Sequence, residues 1–328
     1  MLDKVRVGMI GVGGIARYHL NQLLETPDAE IVALNDVNHA RLAAVCEQVP
    51  QLSEVPTFER YEDMLSSVEM DAVEISTPHT LHFEQAMAAL DRGLHVMVEK
   101  PMVCRVDHAK ELIRKAEGKK RVLIVAYQRH FQPQYRYIRK TVQEGGLGEI
   151  TYVAALQCQQ WKRGTKGTWR QDPALSGGGQ LNDSGSHLLD AILWTTDMAV
   201  ASVHAFIDNL GCPVDINSAV GMRFASGAQG TVSIVGDAPC WYEDFTIWGT
   251  KGVMFYRNGA LTHCDESGEI TEPTDLPPAG NVDKGFIDCI LGKDINWVPG
   301  TCGLRVIELT EAAWQSAQSG APCCVSRS

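Results

Sequence analysis

The chain is short of positive charge. It carries 29 lysines and arginines against 40 aspartates and glutamates in 328 residues, a formal net charge of -11. A surface of that sign repels a phosphate backbone and an anionic lipid face, so neither nucleic acid nor a membrane is an expected partner. Long apolar runs are missing too, with no stretch of the roughly 18 residues that a spanning helix needs. The ten cysteines include no C-x-x-C pair, and Cys323 and Cys324 are adjacent, which disfavours an ordinary bridge. Such a pattern fits a reduced cytoplasmic protein, not a disulfide scaffold. The opening MLDKVRVGMIGVGG breaks into glycine without an A-x-A site, so no secretory leader is expected. No H-E-x-x-H and no Cys/His cluster occurs, and hence no metal is expected. No G-x-S-x-G elbow occurs either, which argues against Ser184 or Ser186 as a nucleophile. Internal repeats and low-complexity tracts are absent.

What is present is a chain too long for one core, so two domains are expected. Its 45% hydrophobic and 21% charged content is that of an ordinary globular protein. Residues 1–126 alternate between apolar strands and amphipathic helices. The strands read Lys4–Gly11, Glu30–Asp36, Asp71–Thr77, His95–Lys100 and Arg121–Tyr127. Strands without polar alternation imply a parallel sheet covered on both faces, a doubly wound Rossmann domain. Residues 127–328 change character. A helix over Pro133–Glu144, a strand over Glu149–Trp161 and a helix over Leu181–Trp194 lead into several strands with short turns up to Cys264. Helices over Asp283–Leu291 and Leu304–Gln318 close the chain. This predicts an α+β domain with a large open, mainly antiparallel sheet. The bare face of that sheet points to a homodimer or homotetramer.

The first strand runs into GVGGIA, a G-x-G-x-x-A turn at the start of a helix. Gly11 permits the tight turn and Gly13 lets the backbone approach a pyrophosphate, while Ala16 lets helix and strand pack closely. Val12, Gly14 and Ile15 complete the loop, and the helix N-terminus offers N–H groups to phosphates. Asp36 ends the second strand about 20 residues on, where a carboxylate accepts from a ribose 2′-OH and repels a 2′-phosphate. NAD is therefore expected before NADP. Arg41, a turn into the next helix, reads as part of a solvated face.

The stretch SGGGQLNDSGSHLLD places Asp183 and His187 four residues apart behind three glycines. The spacing puts both on one face of a helix, and the glycines let that helix begin close against another backbone, here taken as cofactor and substrate. Taken alone, a D-x-x-x-H is by default a surface helix pair.

Together, GVGGIA, STPHTLHFEQAMAALDRGLHVMVEKP and GGGQLNDSGSH resemble the Gfo/Idh/MocA family of sugar and cyclitol oxidoreductases, across essentially the whole chain. The resemblance implies that Thr77, Pro78 and His79 turn over the adenosine, with His79 where the family commonly has Asn. It implies that Glu99-Lys100-Pro101 lies beside the nicotinamide and that the Asp183–His187 segment completes the site. The family's Lys-Pro bond is often cis, an arrangement that would aim Lys100 into the cleft. A Trp-Arg pair like Trp169-Arg170 lies near nicotinamide and substrate in family members, though a surface loop anchored by the Trp reads equally well. Arg129, after the last parallel strand, falls at a domain junction of the kind that hosts ligands. His82 reads as a cap or packing residue or as a nucleotide contact. Trp241, Tyr242, Phe245 and Trp248 read as sheet packing.

The activity implied is hydride transfer between NAD and a secondary alcohol of a sugar, cyclitol or related polyol. His187 suits a general base because imidazole titrates near neutrality. Lys100 would stabilise the oxygen as it gains charge, or serve as base itself. Asp183 would orient substrate hydroxyls or the two cationic groups. Two other readings stay open: an NAD-retaining glycosidase or epimerase of the same fold, and a non-catalytic NAD-binding redox sensor.

Overall fold

A computed structural model of the chain describes residues 4–325. Two compact units form. The first takes the described residues up to Val103, with Asp107–Gln128 and Gly280–Gly303; the second takes Cys104–Val106, Arg129–Ala279 and the residues from Leu304 onward.

The first unit is built on a parallel sheet. Among the described residues its strands are β1 (Val5–Ile10), β2 (Ala29–Asn35), β3 (Thr57–Phe58), β4 (Ala72–Ile75), β5 (His95–Val98) and β6 (Leu123–Val125), in the order β3-β2-β1-β4-β5-β6. Helices α1 (Ala16–Leu24), α2 (His39–Gln48), α3 (Tyr61–Ser67), α4 (His82–Asp91) and α5 (Val106–Lys119) connect and cover them. Every residue of β4 and all of β1 except Arg6 are buried, which is why these strands read as unbroken apolar runs. The strand β3 is two residues long, too short to show a period. Strand order reverses at β1, with β2 on one side and β4 on the other. The loops leaving the carboxyl ends of β1 and β4 therefore diverge and open a crevice.

The second unit carries a nine-stranded sheet in the order β14-β13-β12-β11-β7-β10-β9-β8-β15. Its strands are β7 (Ile150–Cys158), β8 (Val200–Asp208), β9 (Asn217–Phe224), β10 (Gln229–Val235), β11 (Tyr242–Gly249), β12 (Val253–Arg257), β13 (Ala260–Cys264), β14 (Ile270–Thr271) and β15 (Cys323–Cys324). Neighbours are antiparallel apart from β7 and β10. The helices are α6 (Pro133–Gln143), α7 (Trp161–Gly164), α8 (Pro173–Ser176), α9 (Gly185–Thr196), α10 (Val282–Ile290) and α11 (Gly300–Ser319), of which α10 belongs to the first unit. Alternation along β7 buries Val153, Ala155 and Gln157 on one face of the sheet. The opposite face leaves Phe206 71% and Trp248 43% exposed.

Three expectations need correction. A single boundary after residue 126 leaves Gly280–Gly303 in the second domain, whereas that segment packs in the first unit, where Asp283 of α10 meets the buried His19 of α1. The helix expected over Leu181–Trp194 begins only at Gly185, so Asp183 precedes it and does not share a helix face with His187. Residues 181–184 form turns ahead of it, with the Asp215 carboxylate accepting the N–H groups of Gly179 (2.9 Å) and Leu181 (2.7 Å). Finally, β7 ends at Cys158, and Trp161 opens the short α7; likewise Trp241 lies just before β11.

Candidate active site

The site residues of the first unit stand on the loops that leave β1, β2, β4 and β5. Gly11 has φ +88°, and a Cβ there would come within 2.9 Å of the Ser76 carbonyl oxygen, so only glycine makes this turn. Gly13 and Gly14 differ: a Cβ on either would meet nothing within 4 Å. Their bare backbone faces open space. Behind them α1 starts at Ala16, its N-cap Ile15 providing no side-chain cap and its first turn no acidic residue. Its positive dipole end is thus met by no capping side chain or first-turn carboxylate of the helix itself. These features fit a dinucleotide pyrophosphate. Asp36 is buried, its Oδ2 accepting the Val12 N–H (3.1 Å) and its Oδ1 accepting the Asn38 N–H (2.8 Å). The half-exposed Arg41 guanidinium lies 3.8 Å from the same carboxylate.

Thr77 and Pro78 follow β4, and Thr77 Oγ1 donates to Gln85 of α4. His79 is buried and meets the His82 ring edge-on at 5.8 Å between centroids. His82 is fully buried, with Nδ1 2.9 Å from the Pro101 carbonyl oxygen and Nε2 3.0 Å from that of Thr77. Both nitrogens thus face main-chain oxygens, in keeping with the packing reading of His82. Burial holds its pKa below that of a free imidazole. Glu99 and Lys100 follow β5, the Lys100–Pro101 peptide is cis, and the Lys100 N–H donates to Glu99 Oε2 at 3.0 Å.

Glu99 belongs to a buried charge cluster that the sequence reading missed. His19 of α1 is fully buried, its Nε2 2.9 Å from Glu99 Oε1 and its Nδ1 3.0 Å from both Asp283 oxygens. Glu74 Oε1 lies 4.0 Å from the same Nε2 and accepts the Ser76 hydroxyl. Burial disfavours a charged imidazole, but the Glu74 field and the bonds to Asp283 and Glu99 outweigh it and raise the His19 pKa well above its ordinary value. Burial also dominates at Glu74, pushing it to about 8 against the pull of His19. Glu99 opposes its own burial through the His19 bond, and its pKa is lowered. The only sequence clue to this cluster is an ionisable residue on the buried face of α1.

In the second unit Asp183 is buried, and its Oδ2 accepts from Trp161 Nε1 (2.9 Å) and Arg170 Nε (3.0 Å). The Arg170 guanidinium also lies over the Trp169 ring, 4.5 Å from its centroid. Arg170 therefore meets a carboxylate of the protein itself. Along α9 every residue is buried except His187, a half-exposed imidazole on an otherwise enclosed helix. The glycines approach a backbone, but not that of a ligand. A Cβ on Gly179 would stand 2.0 Å from the Asp215 carbonyl oxygen, and one on Gly178 2.6 Å from the Trp314 ring. Arg129 is buried, ion-paired to Glu243 and 5.2 Å from the Tyr135 ring centroid. Trp161, Asp215 and Glu243 carried no signal in the sequence, because each meets its partner from a distant segment.

Comparison with known proteins agrees with this geometry. Residues 5–127 match the family model described as oxidoreductase family, NAD-binding Rossmann fold, and residues 135–255 match the Gfo/Idh/MocA C-terminal domain. An uncharacterized oxidoreductase of Escherichia coli, YdgJ, is 27% identical over 99% of this chain and 100% of its own length. The D-glucoside 3-dehydrogenase of the same organism is 31% identical over 62% of this chain and 57% of its own. The WlbA dehydrogenase of Chromobacterium violaceum, solved with NADH and UDP-GlcNAcA, superposes with a TM-score of 0.86 at 25% identity, covering 99% of this chain and 97% of that one.

Proposed function

We propose, from the premise that this chain belongs to the Gfo/Idh/MocA family of NAD-binding oxidoreductases, that it is an NAD-dependent dehydrogenase acting on a secondary alcohol of a sugar, cyclitol or related polyol. One observation carries the reading. The open glycine backbone of the β1 loop, Asp36, Thr77-Pro78 and Glu99-Lys100 all leave the carboxyl ends of strands in one sheet, the β1 and β4 loops at its order reversal and the β5 loop next to them. That is where an α/β sheet binds a dinucleotide. NAD, when bound, supplies the acceptor for hydride at its nicotinamide ring. The Gly13-Gly14 backbone and the α1 N-terminus hold the pyrophosphate, and the buried Asp36 carboxylate takes the ribose hydroxyls and disfavours a 2′-phosphate.

The chain itself must then manage one proton. Lys100, on the loop after β5 of the first unit, and His187, on α9 of the second, are each a candidate to take it: an amine or an imidazole can remove the hydroxyl proton or steady the growing negative charge. Asp183, held by Trp161 and Arg170, is an oriented acceptor for a neighbouring hydroxyl. The polyol class is supported by the glucoside and UDP-sugar-bound relatives. The bare sheet face with Phe206 and Trp248 is assigned to a second copy of the chain, which light scattering on the Phe206→Asp variant checks by its mass.

The test is a panel of sugars, inositols and sugar acids assayed with NAD and with NADP. NADH accumulation identifies a dehydrogenase; an enzyme that recycles its cofactor accumulates none. Lys100→Met and His187→Ala are expected to abolish turnover while NAD still binds. Wild-type rates in both variants would remove the proposed roles.

A further inference from the structure

Lys100 stands on a loop, yet its two neighbours are fastened from opposite ends by buried imidazoles. On the amino side, His19 of α1 donates through Nε2 to Glu99 Oε1 at 2.9 Å, and the other Glu99 oxygen accepts the Lys100 N–H at 3.0 Å. His19 is in turn held through Nδ1 by Asp283. On the carboxyl side, His82 of α4 has Nδ1 2.9 Å from the Pro101 carbonyl oxygen and Nε2 3.0 Å from that of Thr77; the neutral ring carries one N–H, here assigned to Nδ1 so that it donates to Pro101. Both rings are 0% exposed, so neither reaches a ligand from solvent. Burying two imidazoles among carboxylates and carbonyls is costly, and packing alone would be served by apolar residues of similar size. What the two rings share is the peptide that carries the amine.

We propose that His19 and His82 are positioning residues for Lys100, fixing segment 99–101 from its two sides so that the amine is presented in one geometry. The inference rests on the assignment of Lys100 to proton handling. Displacing a catalytic group by about 1 Å costs on the order of 100-fold in rate, so the two staples are expected to act on turnover and not on cofactor affinity.

The nitrogen that matters differs between the two rings, and amides distinguish them. Asparagine places its NH2 near the position of Nδ1, and glutamine places it near Nε2. At position 19 the bond to Glu99 uses Nε2, so His19→Gln is expected to preserve function and His19→Asn to lose it. At position 82 the bond to Pro101 uses Nδ1, so the order inverts: His82→Asn preserves and His82→Gln loses. The first readout needs neither cofactor nor substrate. Each variant is labelled with trace acetic anhydride across a pH series, and acetylation of the Lys100 peptide is followed by mass spectrometry. At each position the losing amide is expected to change the Lys100 labelling rate at least about 3-fold relative to the preserving amide, and to lower kcat on the polyol found by the panel about 10-fold or more below it, with NAD affinity held and the thermal midpoints of the two amides alike. The preserving variants should stay at parental values. Equal behaviour of Asn and Gln at both positions, or losses that simply follow the thermal midpoint, would overturn the proposal. Lys100→Met separates the two failures. If that variant turns over normally, the assignment of Lys100 falls and the positioning role with it. If it is dead while the amide pairs are indistinguishable, only the positioning role falls.

Discussion

The two units hold their carboxylates in opposite ways. Asp36 in the first unit is set by its own neighbourhood: the Val12 and Asn38 N–H groups, both on loops of the same crevice. Asp183 in the second is set by side chains from other elements, Trp161 of α7 and Arg170 of the following loop. The glycines divide likewise. Gly13 and Gly14 leave room that the chain does not fill, whereas Gly178 and Gly179 yield room to Trp314 and Asp215. One glycine cluster serves a ligand and the other serves the fold, although in sequence they look alike.

The sharpest test of that contrast is a pair of alanines. Gly179→Ala puts a methyl 2.0 Å from a backbone oxygen that cannot rotate away, and it displaces the N–H groups satisfied by Asp215. It is expected to cost about 3 kcal/mol of stability or prevent folding. Gly13→Ala meets nothing in the chain, so the melting temperature should hold while the Kd for NAD rises about 10-fold, because the methyl occupies the pyrophosphate's place. Calorimetry and NAD titration read both, and equal melting losses in the two variants would erase the distinction.

A smaller effect is expected where Asp183 is held. Trp161→Phe and Arg170→Gln each remove one donor to Oδ2, and either should lower kcat roughly 10-fold with NAD affinity unchanged. If kcat is indifferent to both, Asp183 owes its orientation to something other than this clamp. The same pair shows how far the sequence could be read. GVGGIA, Asp36 and the strands bearing Thr77 and Lys100 were legible because a parallel strand is apolar throughout and its loop chemistry is local. Asp183 and His187 were legible as residues but not as geometry. The stretch ahead of the helix is pinned by Asp215, more than 30 residues on, which accepts the Gly179 and Leu181 N–H groups, and no local pattern announces that partner. His19 stayed hidden because its partners Glu74, Glu99 and Asp283 come together only in the folded sheet.

That cluster gives the first unit a pH signature, and it yields the smallest predicted effect. Glu74 is fully buried, one of its oxygens without a partner, and its pKa is raised to about 8. A raised folded-state pKa means that the native protein binds a proton more tightly than the unfolded chain does. The stabilisation is therefore complete below the ordinary carboxylate value and is lost as pH climbs towards 8. His19, raised well above 6.5, adds a loss in the same direction from about 6.5 upward, while Glu99, lowered, contributes only in acid. Between neutrality and pH 8 the parent should lose stability by at most about 1.4 kcal/mol per pH unit from Glu74. Glu74→Gln keeps the shape and the neutral form, so its melting temperature should fall less across that window than the parent's. Parallel curves for the two proteins would mean that Glu74 is already ionised in the native state, and that His19 neutralises three negative charges instead of two.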